Sequence, residues 1–205
     1  GLTVIRELLR RAGDPQKELA FIHIAGTNGK GSVSAFISNI LMAAGYRVGR
    51  YNSPTIRTYR ERICVNKSMI SKTALCRLLT QLKTCCDEMV ADGFAHPTSF
   101  EVETVLGFLY YKEKNCDMVV LETGMGGRLD ATNVIPDPQK LLAVFASVSM
   151  DHMAFLGDSL GQIAKEKAGI ITQGCSVVTM EQREEVMDVF QKVCLEKQAV
   201  LTVSK

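Results

Sequence analysis

The sequence predicts an α/β fold of three layers, α/β/α, built on a mostly parallel sheet. Apolar, β-prone runs alternate with helical patterns along the chain, as in parallel βαβ units. The 205 residues are 46% hydrophobic and 22% charged, which suits one domain with a sizeable core. A glycine-rich turn at residues 26–31 separates an apolar run from a helical pattern, which is typical of a mononucleotide-binding domain.

Each element is expected from a local pattern. Short apolar runs predict strands at residues 19–24, 47–51, 117–121, 141–148, 176–179 and 199–203. Three- and four-residue apolar spacing predicts helices at residues 31–44, from Ser71 to Gly93, from Thr98, from Ser159 and at 182–197. Ser71 is expected to cap its helix, since serine is a preferred residue at helix starts. The polar, arginine-rich segment 52–67 is predicted to be mainly a loop.

Composition excludes several classes of partner. The net charge of +2 is too small to indicate a nucleic-acid or membrane partner. No apolar run approaches the ~20 residues of a membrane span, and no leader is apparent, so a cytoplasmic location is expected. Seven cysteines without a CxxC pair predict reduced, mostly buried thiols.

The stretch HIAGTNGKGSV, residues 23–33, predicts a phosphate-binding loop. A turn between strand and helix exposes backbone N–H groups at the positive end of the helix dipole. Lys30 adds a cation for the outer phosphates and Ser32 a hydroxyl suited to Mg²⁺. The Walker pattern fails at Ile24, where it requires glycine, and the alternative is a tight turn with a solvated lysine. The expected loop residues are Gly26, Thr27, Asn28, Gly29, Lys30, Gly31 and Ser32.

Three side chains are expected at the same edge of the sheet as this loop. Ser53, Glu122 and His152 each follow a predicted strand, and the carboxyl ends of parallel strands share one edge. Carboxylates and hydroxyls suit Mg²⁺, whereas histidine is a less usual ligand. Taken singly, they are equally explained as a turn residue, a loop charge and a buried structural histidine.

Lys167 is anomalous because it falls in the apolar stripe of the helix that begins at Ser159, whereas Lys165 projects to the opposite side. Desolvating an ammonium group is costly, so an inward lysine must be paired or have a lowered pKa. Such an amine can act as a nucleophile or be carbamylated into an acidic metal ligand. Alternatively, its stem packs while its head reaches water.

The glycine-rich segment GMGGRLDATN, residues 124–133, follows Glu122 directly. Its glycines would allow a ligand to approach closely, with Arg128 as an anion contact and Asp130 as a positioning group. The alternative is a flexible loop with solvated charges. His23 is interpreted as a structural residue.

These stretches together resemble the folylpolyglutamate synthase and dihydrofolate synthase branch of the Mur ligase family. The resemblance extends over residues 19–180 and rests on HIAGTNGKGSV, NSPTIRTYRERI, TSFEVETVLGF, LETGMGGRLDATNVI and SMDHMAFLGDSLGQIAKEKAGII. It implies an ATP-dependent ligase that adds L-glutamate to a folate carboxylate through an acyl phosphate. The small-molecule partners implied are ATP, folate and glutamate, with Mg²⁺ as the metal, and a monomer is expected.

The resemblance also implies roles for individual residues. The catalytic residues would be Lys30, Glu122, His152 and Lys167, with Lys167 carbamylated. The metal ligands would be Ser32, Ser53, Glu122 and His152. Residues 53–63 would form a loop that shapes the folate site, and the substrate contacts would be Arg62, Arg128 and Asp130.

Two departures from the family accompany this resemblance. Thr55 stands where the family commonly has histidine, so the preferred folate form is open. Family members are also longer, so residues 1–205 would be part of the ATP-binding domain, without the C-terminal Rossmann-like domain, and inactive alone. A peptidoglycan Mur ligase, a non-catalytic nucleotide-binding module and a simple P-loop NTPase are the alternatives.

Overall fold

The computed structural model describes residues 1–150 and 157–204. Its strands form one sheet of eight, in the order β4-β3-β2-β5-β1-β6-β7-β8. Neighbouring strands from β2 across to β8 are parallel, and β3 and β4 add an antiparallel hairpin beside β2. The predicted α/β class with a mostly parallel sheet is therefore confirmed. The strands are β1 (Phe21–Ala25), β2 (Val48–Tyr51), β3 (Ile63–Val65), β4 (Ser68–Met69), β5 (Met118–Glu122), β6 (Lys140–Phe145), β7 (Ser176–Met180) and β8 (Val200–Ser204).

Helices cover the two faces of the sheet unequally. In the described chain, α2 packs on the face that carries Ile22, Ile24 and Val144. The other helices pack on the opposite face, in two apolar clusters that include Phe21 and Phe145. This face has most of the core because side chains of a strand alternate between the two faces. The helices are α1 (Thr3–Arg11), α2 (Lys30–Ala43), α3 (Lys72–Ala91), α4 (Ser99–Glu113), α5 (Leu160–Ala168) and α6 (Glu184–Glu196).

Local capping explains why two of these helices begin where the sequence predicts. The Ser71 hydroxyl accepts a hydrogen bond from the Ala74 N–H at 3.1 Å. Thr98 and Glu101 form a capping box, in which each side chain bonds the backbone of the other residue. These bonds satisfy N–H groups that a helix start leaves without partners.

The segment predicted as a loop differs from the prediction. Residues 52–67 include a 3₁₀ helix, Tyr59–Arg62, and the strand β3, which pairs with β2 through Tyr51 and Ile63. The proline and arginines of this segment are typical of a loop. A three-residue strand is also too short to show a detectable alternation of apolar and polar residues. No helix was predicted at α1 either.

β6 is shorter than predicted and ends at Phe145 rather than residue 148. Beyond it, the Ala146 N–H still donates to the Ala25 carbonyl at 2.9 Å, but Ser147 then pairs with Asn28 in the glycine-rich turn. The end of β6 is thus diverted into contact with the loop after β1. Within residues 1–150 and 157–204, no helix is both long and apolar enough to span a membrane.

Candidate active site

The loop between β1 and α2 has the backbone geometry that its glycines predict. Gly29, with φ of +86°, caps α2, and Lys30 begins the helix. Gly26 has φ of +154°, and a Cβ there would lie 2.8 Å from the Ala146 Cβ, so only glycine fits. The Lys30 ammonium folds over the loop and donates to the carbonyls of Gly26 at 2.9 Å and Thr27 at 3.3 Å. The loop therefore joins a lysine to the exposed N–H groups of a helix start.

The strand ends next to this loop hold the Glu122 carboxylate. Glu122 is only 1% exposed, and the Ser53 N–H lies 3.4 Å from its Oε2. The Asn52 amide bridges three of its neighbours. Its nitrogen donates to Ser34 Oγ at 3.1 Å and to Glu122 Oε1 at 3.2 Å, and its oxygen accepts from Arg50 Nε at 3.1 Å. Burial raises the pKa of Glu122, while the Ser53 N–H and the charges of Lys30 and Arg50 act in the opposite direction.

A cleft of about 610 Å³ opens over these groups, and we call it the phosphate-loop cleft. Its lining includes three cations, Lys30, Arg50 and Lys67, together with the carboxylates of Glu61 and Glu122. Thr55, the residue that departs from the family pattern, lines this cleft. Such a mixture of cations, N–H groups and one buried carboxylate can hold a phosphate chain and a metal ion together.

A second cleft, of about 540 Å³, lies on the other side of Ser53 and Pro54, and we call it the Phe100 cleft. Its lining includes Phe100, Arg62 and Asp130. The Arg62 guanidinium lies 5.6 Å from the centre of the Phe100 ring and pairs with Glu103 at 2.8 Å. The buried Arg62 Nε has no hydrogen-bond partner within the described part of the chain. An aromatic face beside a buried donor and a carboxylate suits a flat heteroaromatic ligand.

Asp130 is held firmly in the wall of the Phe100 cleft. Its Oδ1 accepts from the Thr132 N–H at 3.0 Å and from the Thr132 hydroxyl at 2.5 Å, and its Oδ2 accepts from the Met125 N–H at 2.8 Å. Burial raises the pKa of Asp130, and these donors oppose the rise because they stabilise the ionised form.

Lys167 faces inward, as the apolar stripe predicts. It lies on α5 with 2% of its surface exposed, whereas Lys165 is exposed. The adjoining backbone is tightly packed: a Cβ at Gly127 would lie 2.7 Å from the Lys167 carbonyl oxygen. Arg128 lies nearby, but it is 54% exposed, pairs with Glu166 at 2.9 Å and lines neither cleft.

The structure brings together most of the predicted site residues, in two groups. The phosphate loop, Ser53 and Glu122 meet at one sheet edge, although the Ser32 side chain is exposed. Arg62 and Asp130 meet in the Phe100 cleft. His152 lies outside the described residues. Within the described chain, no cluster of three His, Cys, Asp or Glu side chains capable of holding a metal is found.

Several residues of the site are not evident from the sequence. Ser34 is fully buried and faces Asn52, although α2 is otherwise largely apolar. Its position one turn after Lys30 was the available signal, because residues four apart share a helix face. Arg50, Asn52 and Phe100 gave no such signal, since only the folded sheet brings them beside the clefts.

Comparison with known proteins identifies relatives of this sequence. Residues 24–205 match the model of the Mur ligase middle domain. A dihydrofolate synthase/folylpolyglutamate synthase of Bacillus subtilis is 43% identical over 192 residues, covering 93% of this chain and 44% of that protein. The structure of a folylpolyglutamate synthase from Thermotoga maritima is 41% identical with a TM-score of 0.90, covering 99% of this chain and 46% of that one.

An FPGS–AMPPCP–folate complex superimposes with a TM-score of 0.94 at 33% identity, covering 99% of this chain and 49% of that one. The chain thus spans about half the length of the curated relatives it matches. The names of these relatives agree with the branch that the motifs predict.

Proposed function

Because this chain belongs to the Mur ligase family through the middle domain, we propose that the full-length protein is an ATP-dependent ligase that joins L-glutamate to a folate carboxylate. The folate carboxylate attacks the γ-phosphorus of ATP, which forms an acyl phosphate and releases ADP. The glutamate amine then attacks the acyl carbon, and phosphate leaves with formation of the amide. One observation carries the proposal: the two clefts meet at Ser53 and Pro54, which line both.

The phosphate-loop cleft is the proposed site for the phosphates of ATP. The exposed N–H groups at the start of α2 and the Lys30 ammonium would stabilise the charge on the transferring phosphoryl group. Lys30 now bonds two loop carbonyls, so it would exchange these for phosphate oxygens when nucleotide binds. Arg50 adds a second cation to the lining of the cleft.

The donors in this cleft fit Mg²⁺. A buried carboxylate next to hydroxyl groups and a phosphate site is the donor set this ion prefers, since it keeps several waters and takes few protein ligands. Glu122 and Ser53 would hold the ion, with Ser32 and His152 as the other proposed ligands. When bound, Mg²⁺ would neutralise phosphate charge and orient the phosphate chain.

We propose in addition that Lys167 is carbamylated. Lys167 is 2% exposed on α5, and the neutral form of a lysine amine adds CO₂. The neutral amine attacks CO₂, and loss of one proton leaves a carbamate. In full-length protein equilibrated with ¹³C-bicarbonate, a carbamate NMR signal is expected that Lys167→Met abolishes and Lys165→Met retains. A spectrum without this signal in the unsubstituted protein would reject carbamylation.

The Phe100 cleft is the proposed site for the ring system of folate. Phe100 would offer a face for stacking, Asp130 would accept from ring N–H groups, and the Arg62 guanidinium, which lines the cleft, would donate to a carbonyl or carboxylate oxygen. Arg128 is a weaker candidate for substrate contact, because its charge is already paired with Glu166 outside this cleft. The chain of the substrate would pass over Ser53 to bring its carboxylate to the phosphates.

The test is ligation by the full-length protein. Continuous ADP release over many turnovers is expected to need folate and glutamate together, because the acyl phosphate must react with glutamate before the site can turn over again. Lys30→Met is expected to reduce turnover by about 10²-fold or more. Lys17→Met, at an exposed lysine paired with Asp14, is the matched control and should leave turnover unchanged. Turnover only with a UDP-linked muramoyl substrate would instead identify a peptidoglycan ligase, and hydrolysis independent of both co-substrates an NTPase. A cytoplasmic location and a monomeric state stay predictions.

A further inference from the structure

His23 is a polar residue in the most buried strand of the sheet. It lies in β1 between β5 and β6, opposite Leu121 and Ala143, and is fully buried. Its four neighbours in β1 are apolar and buried. Its Nε2 lies 2.8 Å from the Thr132 hydroxyl oxygen, while its Nδ1 is buried with no partner among the described residues. An unpartnered buried nitrogen is costly, so this histidine destabilises a position where an aliphatic side chain would pack well.

The hydrogen bonds fix the direction of the proton chain that begins at His23. Asp130 Oδ1 accepts the Thr132 hydroxyl proton at 2.5 Å. A hydroxyl has one proton, so the Thr132 oxygen must accept at its contact with His23. Burial, and to a smaller extent the nearby charge of Lys140, lowers the pKa of His23, which keeps the imidazole neutral. The proton of this neutral ring is therefore on Nε2, and it donates to Thr132.

The chain ends at the wall of a cleft. Asp130 lines the Phe100 cleft beside Phe100, and a Cβ added at Gly124 would lie 2.6 Å from Phe100 Cζ and 3.1 Å from Asp130 Oδ2. With Oδ1 occupied by the Thr132 hydroxyl, Oδ2 is the oxygen on the side of Gly124, where Phe100 Cζ also lies. The backbone N–H groups of Met125 and Thr132 also bond this carboxylate. The Thr132 hydroxyl, which His23 contacts, adds the third bond that fixes its rotation.

We propose that His23 and Thr132 are positioning residues that orient Asp130 to accept an N–H group of the substrate's heterocyclic ring. The proposal rests on the proposed function, because it takes folate as the occupant of the Phe100 cleft. His23 and Thr132 do not touch the substrate; they act through Asp130. The polar residue in β1 is then explained by substrate recognition rather than by packing.

The experiment measures steady-state kinetics of the full-length protein with substitutions at both positions. Thr132→Val keeps the shape of threonine but removes the hydroxyl, and it is expected to raise the folate KM about tenfold with the ATP KM within twofold. Thr132→Ser retains the hydroxyl and should keep the folate KM within about threefold. Thr179→Val, which removes a buried hydroxyl from β7, is the matched control and should change neither KM.

His23 provides the second, independent arm. His23→Leu is expected to raise the folate KM as Thr132→Val does, without lowering Tm, since the unpartnered nitrogen is removed as well. His23→Gln places an amide N–H near the position of Nε2 and should recover part of the lost affinity. The double variant His23→Leu/Thr132→Val should be no worse than Thr132→Val alone, because both remove the same chain.

Each contrary result has one meaning. An active protein whose folate KM is unchanged in Thr132→Val and His23→Leu overturns the proposal, and so does a parallel rise in both KM values with a fall in Tm, which would indicate a purely structural role. A full-length protein that neither binds nor ligates folate contradicts the proposed function itself, and the inference falls with it.

Discussion

Glu122 holds its carboxylate in a buried position that lowers the stability of the fold and suits the proposed chemistry. It is 1% exposed beside the first turn of α2, and burial raises its pKa. A carboxyl group with a raised pKa opposes folding at every pH above that pKa, because the folded state holds the charge poorly. Two N–H donors and two nearby cations offset only part of this cost. The cations that stabilise the Glu122 charge, Lys30 and Arg50, are the same ones that would bind phosphate. Because they offset the burial of this carboxylate only in part, the ligand-free site lowers the stability of the fold.

At this scale we predict that Glu122→Gln separates stability from activity. The neutral amide removes the buried charge, so the ligand-free protein should gain about 1 kcal/mol, a Tm rise of about 3 °C at neutral pH. The gain should shrink as the pH falls through the raised pKa, because Glu122 itself then becomes neutral. Ligation by the full-length variant should fall about 10²-fold.

Thermal unfolding at pH 7 and pH 5, together with ADP release, measures both effects. Glu184→Gln, at the exposed start of α6, is the control and should change neither quantity. A lower Tm at pH 7 in Glu122→Gln would show that the carboxylate stabilises the fold, contrary to this prediction.

Single residues of the site differ in how readily the sequence reveals them. Lys167 was detectable because its helix has a clear apolar stripe, and the structure confirms that it is buried. Glu122 was detectable because it ends an apolar strand. Asn52 and Arg50 were not, since polar residues beside a proline have many structural explanations.

At the scale of elements, the loop of residues 124–133 and the end of α5 form one tightly bonded unit. The Asn133 amide donates to the Gly169 carbonyl at 2.9 Å, and a Cβ at Gly169 would lie 2.3 Å from the Arg128 Cβ. The buried Lys140 ammonium completes the unit, because it donates to Asn133 Oδ1 at 3.0 Å and to the Ile170 carbonyl at 2.8 Å. The wall of the Phe100 cleft is thus attached to the helix that bears Lys167.

Lys140 leads to a prediction about the pH dependence of stability. Burial lowers its pKa to about 8, below its ordinary value of 10.5. Below pH 8 Lys140 is protonated in both the folded and the unfolded state. Burying its charge then lowers the free energy of unfolding by about 3 kcal/mol. Between pH 8 and 10.5 the unfolded state binds more protons, so the free energy of unfolding rises with pH. Relative to Lys140→Met, the unsubstituted protein should gain about 2 kcal/mol from pH 7 to pH 9.5.

Urea unfolding of both proteins at the two pH values measures this difference. Because both proteins contain the same tyrosines and cysteines, the effect of their titration cancels in the comparison. Lys165→Met, on the exposed side of α5, should show no such change. A difference between the unsubstituted protein and Lys140→Met that is constant with pH would mean that Lys140 stays charged within the fold.

The elements themselves were largely predictable where the pattern was long. The twenty residues of α3 show a clear period and a serine cap, and both were found. The β3–β4 hairpin was missed because strands of three and two residues are fixed by pairing with β2 rather than by their own sequence. The pattern also does not fix the ends of strands: β6 stops earlier than its apolar run because Ser147 pairs with Asn28 in the phosphate loop.

At the scale of the whole molecule, the topology of the sheet explains why the clefts adjoin. β1, β2 and β5 are neighbours in the sheet although their sequence positions are far apart, so their carboxyl ends meet. The phosphate loop follows β1, Ser53 follows β2 after one residue, and Glu122 is the last residue of β5. Alternation of patterns predicts a parallel sheet but not its strand order, and for this reason the sequence indicated one site edge without its division into two clefts.

This division predicts separate ligand footprints in hydrogen exchange of the full-length protein. AMPPCP, the nucleotide that we expect in the phosphate-loop cleft, should slow exchange at residues 26–32 and 50–56, the segments that contribute to its lining. Folate should slow exchange at residues 98–101 and 124–131, the two segments that contribute most of the lining of the Phe100 cleft. Only the backbone around Ser53 should respond to both ligands, because it lines both clefts.

Lys30→Met should lose the nucleotide footprint and retain that of folate, and Thr132→Val should do the reverse. If AMPPCP alone protected residues 124–131 as strongly as folate does, the two clefts would act as one site, and the passage of the substrate carboxylate across Ser53 would have to be abandoned.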